Sequence, residues 1–215
     1  MRLFVAIDIA PGIREKLAQF RDTMKPLAPS ARWVGAETFH ITLKFIGERP
    51  PQQAEAIKRA LAAVQAASAG VRFRGAGFFP NPRSARVFWV GIEADEHLAQ
   101  LAQDVDNVLS NLPIFPPIAP EERPYAPHLT LARSGDMRHP RGGSGRPQAR
   151  PDDRPNSRFA ALQEKLAAMP EPDFGTMTAD RFVLYQSQLS PKGSKYTKLE
   201  IFPMPPRTEE KPPIP

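Results

Sequence analysis

A chain of 215 residues has room for one compact core or for two small lobes sharing a cleft, and its 41% hydrophobic content is that of a globular protein. No apolar run approaches the ~18 residues that span a bilayer, and the absence of cysteine excludes disulfides, thiolate metal ligands and a cysteine nucleophile. The net charge of +6 favours anionic partners, but seven arginines against three aspartates between residues 133 and 158 concentrate the surplus in one segment.

Residues 3–9 read as a first strand rather than a signal peptide, since Asp8 interrupts the run and no cleavage pattern follows. Pro11-Gly12 opens a helix in which Ile13, Leu17, Phe20 and Met24 recur at helical spacing. A strand centred on residues 41–46 comes next, then a helix after Pro50-Pro51 with Ala54, Ile57, Leu61 and Val64 on one face. Alternating Val71, Phe73, Gly75, Gly77 and Phe79 predict another strand. Residues 86–92 are a nearly all-apolar strand, and Asp95 is placed to cap a helix burying Leu98, Leu101, Val105 and Val108. After a strand over residues 129–134, Ser157 is placed to cap a helix with Phe159, Leu162 and Leu166. Residues 182–188 and 196–202 close the chain as a hairpin around Pro191-Lys192-Gly193.

Both halves thus run strand, helix, strand, helix, strand, and their central strands align as HITLKFIG (from His40) and HLTLARSG (from His128). His, Thr, Leu and Gly coincide at the same place in two copies of one element order, the mark of an internal duplication. Residues 136–156 break the pattern. They are rich in Gly, Arg and Pro, too poor in apolar residues to fold alone, and read as a mobile loop. From residue 203 onward the proline-rich chain reads as an extended appendage, leaving residues 1–202 as one bilobal domain.

Side chains two apart in a strand share a face. His40 and Thr42 therefore project together while Ile41, Leu43 and Phe45 enter the core, and His128 and Thr130 project opposite to Leu129 and Leu131. If the halves pack face to face, two imidazoles flank one groove. With unperturbed pKa values near 6.5, one can be neutral and the other protonated around pH 7. In-line displacement at phosphorus needs that combination, a base on the attacking water and an acid on the leaving oxygen. The threonine hydroxyls can donate to non-bridging phosphate oxygens, and the scheme calls for no metal or cofactor. A lone His-x-Thr is an ordinary exposed pair; its duplication is what points to chemistry. His97, on the helix after Asp95, and His139, in the Arg-rich segment, read as solvated.

At this point the chain resembles the 2H phosphoesterase superfamily, and within it the RNA 2′,3′-cyclic phosphodiesterases, also described as 2′-5′ RNA ligases. The likeness runs through RLFVAIDI, WVGAETFHITLKFIG, ARVFWVGI, PYAPHLTLAR and LYQSQLSPKGSKYTKLE. It implies an α+β fold, a bilobal duplication with antiparallel sheets and flanking helices around a central groove. It also implies His40 as proton donor to the departing ribose oxygen, His128 as proton acceptor from water, Thr42 and Thr130 on the phosphate, and RNA ending in a 2′-phosphate as product. Arg133 matches an arginine that the family places after its second motif. Its parity is awkward, since an unbroken strand would turn it to the dry face, and a bulge or strand end near Ala132 would resolve this. Phosphate binding and a structural ion pair are its two readings.

Further candidates stand on parity alone. Lys44 shares the face of His40 and Thr42 and is either a phosphate contact or a solvated lysine. Phe45 is either core or a base-stacking platform. Ser187 and Tyr196 lie in the closing hairpin, which can border the groove, and Tyr196 is equally suited to a core. The Arg-rich segment is either an RNA-backbone contact or a solvated insertion. The expected partner is RNA with 2′,3′-cyclic phosphate ends, the expected state a cytoplasmic monomer without membrane, metal or cofactor. Alternatives are hydrolysis of a small cyclic nucleotide, reversible 2′-5′ ligation, for which no nucleotide-activating motif is present, and a non-enzymatic RNA adaptor, which would not need two matched proton-transfer groups.

Overall fold

A computed structural model describes residues 1–134, 157–190 and 193–206. The Arg-rich segment with His139, the turn residues Pro191 and Lys192, and the end of the tail lie outside the described residues. The elements run β1 (Arg2–Asp8), α1 (Pro11–Met24), β2 (Arg32–Trp33), β3 (His40–Glu48), α2 (Ala54–Ala62), β4 (Ala69–Phe79) and β5 (Val87–Ala94). There follow α3 (Glu96–Ser110), β6 (His128–Arg133), α4 (Ala160–Ala167), β7 (Asp173–Ala179), β8 (Arg181–Ser190) and β9 (Gly193–Pro203). No described helix is long and apolar enough to cross a membrane.

The strands form two antiparallel sheets, ordered β3-β1-β8-β9 and β2-β6-β5-β4-β7. The α+β class, the duplication and the closing hairpin follow the reading of the sequence. In each half an opening strand (β1 or β5) leads through a helix (α1 or α3) to the histidine strand (β3 or β6), which pairs back antiparallel. Asp95 caps α3, accepting from the His97 amide at 3.2 Å. Two strands carried no signal in the sequence. β2 is only two residues long, and β7 is an edge strand in which Phe174, Met177 and Ala179 meet the core at uneven spacing, so no alternation of period two marks it.

Alternation decides what each strand buries. Leu3, Val5 and Ile7 of β1 join a continuous core with Leu17, Ile41, Leu43, Leu61, Phe88, Val90, Leu101, Leu129 and Leu131. Phe4 and Ala6 face the other way and pack with Val183, Tyr185 and Tyr196 into a second, smaller cluster. Burial of an aliphatic side chain of this size contributes roughly 1.5–3 kcal/mol, so the inner faces hold the sheets and leave the outer faces free for chemistry.

Both histidine strands carry the same irregularity. Pairing of β1 with β3 steps from Ala6↔Thr42 to Val5↔Lys44, leaving Leu43 as an extra residue. Pairing of β5 with β6 steps from Trp89↔Thr130 to Phe88↔Ala132, leaving Leu131 as the extra one. These are β-bulges, and each reverses the alternation for the residues that follow. Two expectations are corrected by this. Lys44 does not share the face of His40 and Thr42: it is buried, 5% exposed, with its ammonium paired to Asp106 of α3 and donating to the Ala119 carbonyl at 2.7 Å. Phe45 is not core but 60% exposed, across from Phe4 on the outer face. At the equivalent place in β6, Ala132 is buried and Arg133 is turned outward, so the awkward parity of Arg133 is resolved by the bulge.

The segment between α3 and β6 is tied to β3. Besides Lys44, the Arg49 guanidinium donates to the carbonyls of Pro116 and Pro117, and the Tyr125 hydroxyl donates to the Thr42 carbonyl at 3.0 Å. These bonds hold the approach to one histidine strand against the other. The chain after β9 is corrected too. Met204 is buried, its amide donates to the Asp180 carbonyl at 2.7 Å, and the Pro205 carbonyl accepts from Ser68. Insertion of the methionine keeps the start of the proline-rich segment docked rather than extended.

Candidate active site

His40 opens β3 opposite Asp8, the last residue of β1, and its ring lies 4.9 Å from Phe4 and 5.4 Å, edge-on, from Tyr196. His128 opens β6 and meets the Phe79 ring edge-on at 4.9 Å. Each imidazole Nδ1 lies at hydrogen-bond distance from the carbonyl of the residue two before it, His40 from Thr38 at 2.7 Å and His128 from Ala126 at 2.9 Å. A carbonyl only accepts, so Nδ1 keeps its proton in both rings and Nε2 is the nitrogen left for proton exchange. Duplication therefore extends from the residues to their orienting bonds.

The two rings belong to different sheets, yet the charge of His128 reaches His40. Burial pulls His40 below the ordinary histidine pKa, and the positive charges of Arg133 and His128 act in the same direction. The bond to the Thr38 carbonyl and the carboxylate of Asp8 oppose that shift. Burial also lowers His128, again helped by Arg133 and opposed by the Ala126 carbonyl. Arg133 thus lies within electrostatic reach of both rings.

Thr42 and Thr130 are half-buried two residues beyond the histidines, and among the described residues neither hydroxyl is committed to a hydrogen-bond partner. Arg133 is itself lowered, by burial and by the charges of Arg32 and Arg2, with the Tyr196 hydroxyl opposing. Tyr196 therefore lies near Arg133 as well as His40, and its ring is edge-on to Phe4 at 4.9 Å. Ser187 is the strand partner of both Tyr196 and Arg2, farther along the same face. The structure brings His40, His128, Arg133 and Tyr196 within ring contact or electrostatic reach of one another, with Thr42 and Thr130 two residues beyond the histidines, Phe45 beside Phe4 and Ser187 paired with Tyr196. Lys44 is left out of this group.

Several residues of this face were not read from the sequence. Asp8 accepts from the Tyr185 hydroxyl and pairs with Lys198 at 2.5 Å. Burial pushes its carboxyl up, but Lys198 and Tyr185 outweigh that and hold it below the ordinary carboxylate range. Phe79 touches both His128 and Trp89, and Trp89 lies flat over Gly77, where a Cβ would come within 2.5 Å of the indole. The stretch RLFVAID is apolar on both faces, so alternation alone does not tell Phe4 from Leu3. Asp8, a carboxylate ending such a run, is the one signal that was available there.

Similarity to known proteins agrees with this geometry. A family model described as LigT-like phosphoesterase matches residues 7–89, from the end of β1 through His40 into β5. A Methanothermobacter thermautotrophicus protein named RNA 2′,3′-cyclic phosphodiesterase is 30% identical over 207 residues, 94% of this chain and 98% of that protein. A Thermus thermophilus crystal structure superposes with a TM-score of 0.71 at 28% identity, covering 96% of this chain and 99% of that one. Escherichia coli LigT, crystallised with 3′-AMP, superposes with a TM-score of 0.69 at 25% identity, covering 94% and 97%. With a relative matched along almost its whole length at that identity, and a family model centred on the first histidine strand, this chain belongs to the LigT-like, or 2H, phosphoesterase family.

Proposed function

We propose that the chain hydrolyses the 2′,3′-cyclic phosphodiester end of RNA to a 2′-phosphomonoester, with His40 and His128 exchanging protons across one phosphate. The observation that carries this reading is the pair of imidazoles, one from each sheet, each tied through Nδ1 to a carbonyl and sharing the field of Arg133. The substrate class is supported by the relatives that bear the name RNA 2′,3′-cyclic phosphodiesterase and by the 3′-AMP bound to the Escherichia coli relative.

His128 Nε2 takes a proton from water as the oxygen attacks phosphorus. The P–O3′ bond breaks in line, and His40 Nε2 gives its proton to O3′. The products are a 3′-hydroxyl and a 2′-phosphate, and the protons left on one ring and missing from the other are restored from solvent. Thr42, Thr130 and Arg133 hold the non-bridging oxygens, where charge builds up. Asp8 supports the assignment of roles: among the described residues its carboxylate acts on His40 and not on His128, favouring the protonated form of the donor. Burial disfavours the charged form of both rings in the free enzyme, and the arriving phosphate anion raises the donor's proton affinity, since an opposite charge within about 4–6 Å favours the charged form. Phe45, exposed beside Phe4, offers a face for the terminal base, and Tyr196 and Ser187, paired on β8 and β9, are assigned to its border.

Phosphorus NMR of an oligonucleotide ending in a 2′,3′-cyclic phosphate tests the reading. The cyclic resonance is expected to be replaced by that of a 2′-phosphomonoester. A persistent cyclic signal, or a 3′-phosphate product, would overturn it.

A further inference from the structure

Two guanidiniums remain that the reaction does not use. Arg32 on β2 is the strand partner of Arg133. Arg2, at the start of β1, alternates with the core residue Leu3 and so stands on the face of Phe4, beside Ser187. Both are exposed, and the positive charge of each reaches Arg133. Among the described residues none of the three has an ion-pair partner. Glu48, which lies across from Arg2, is instead 3.8 Å from the N-terminal ammonium.

A charge count gives this meaning. A cyclic phosphodiester carries one negative charge, which Arg133 and two hydroxyls match. Two further unpaired arginines repel Arg133 unless more anions arrive, and RNA supplies one phosphate per nucleotide. Because a 2′,3′-cyclic phosphate is itself the 3′ terminus, every additional phosphate lies on its 5′ side.

We propose that Arg2 and Arg32 bind the backbone phosphates immediately 5′ of the terminal nucleoside, so that the groove selects the end of a strand over a free nucleoside cyclic phosphate. This rests on the placing of the cyclic phosphate between His40 and His128. It assigns Arg2 and Arg32 to substrate selection and leaves the chemical step to the residues named above.

Three substrates separate the possibilities: a nucleoside 2′,3′-cyclic phosphate, the same nucleoside with an added 5′-phosphate, and a pentanucleotide with a cyclic end. Adding the 5′-phosphate is expected to raise kcat/KM by about tenfold in the unaltered protein, the size of one charged hydrogen-bond contact. In the R2Q/R32Q double variant that gain disappears, while turnover of the unphosphorylated nucleoside is retained. Affinity for a 3′-phosphorylated pentanucleotide, followed by anisotropy against salt, is expected to lose roughly 0.7 of log–log slope per arginine removed. An undiminished gain from the 5′-phosphate, or equal loss on all three substrates, would overturn the proposal. If no substrate turns over but the salt slope falls as stated, the arginine assignment stands and the hydrolytic reading fails.

Discussion

An imidazole whose Nδ1–H is spent on a backbone carbonyl has one nitrogen left to act with, and both histidines of the groove are in that condition. Their surroundings then set the proton occupancy. Burial lowers both, disfavouring the doubly protonated ring in the free protein. The kinetic consequence has a sign. kcat/KM reports the free enzyme, in which the base must be neutral and the acid protonated, so activity falls as pH drops through one pKa and again as pH rises through the other. With both values below 6.5, the kcat/KM optimum is expected on the acidic side of 6.5. The alkaline limb of kcat is expected at higher pH, because the bound phosphate raises the donor. Initial rates on a cyclic-phosphate oligonucleotide between about pH 4.5 and 9 check this. An alkaline limb at the same pH in both profiles would contradict the phosphate's part in charging His40.

Elements, rather than single residues, decide what enters the groove, and the deciding device is the pair of bulges at Leu43 and Leu131. Each lets the histidine and threonine face outward, then turns one residue inward and the next outward. In β3 the inward residue is Lys44, which spans to Asp106 and the Ala119 carbonyl and so joins the histidine strand of one half to the helix of the other. Lys44→Met leaves the Ala119 carbonyl without its donor and the Asp106 carboxylate with the Glu121 amide but no cation, in a mostly buried site. It is expected to destabilise the fold by about 2–4 kcal/mol, read from the urea midpoint, with KM of the folded fraction unchanged. A raised KM at unchanged stability would return Lys44 to the substrate. Alternation in the sequence gives the facing of His40, Thr42, His128 and Thr130 as the strands have it because these four precede the bulges. It misplaced Lys44 and Phe45 because the period of two is broken by one residue that nothing in HITLKFIG marks. Arg133 was recognisable as misfitting only because an arginine on a dry face is conspicuous, whereas lysine and phenylalanine at 44 and 45 fit either face.

At the scale of the whole molecule, the order of elements was legible because both halves repeat it, and long periodic helices such as α1 and α3 need no tertiary information. The crossing ties were not. Tyr125 to Thr42 and Arg49 to the Pro116 and Pro117 carbonyls join residues far apart in sequence, and no local pattern announces a partner so distant along the chain. Those ties keep two strands, each carrying a half-buried His-x-Thr, beside each other instead of on two unrelated surfaces. On the proposed reading, convergence of the rings is a property of the assembled fold, and chemistry that needs both at once inherits it.

A double-mutant cycle on single-turnover hydrolysis measures that convergence directly. His40→Ala and His128→Ala are each expected to slow cleavage of a cyclic-phosphate oligonucleotide by about 10²–10⁴-fold, and the double variant to be little slower than the worse single one, because groups serving one displacement are lost together. Near-normal turnover in either single variant, or losses that multiply in full, would mean that the two imidazoles do not serve the same phosphorus.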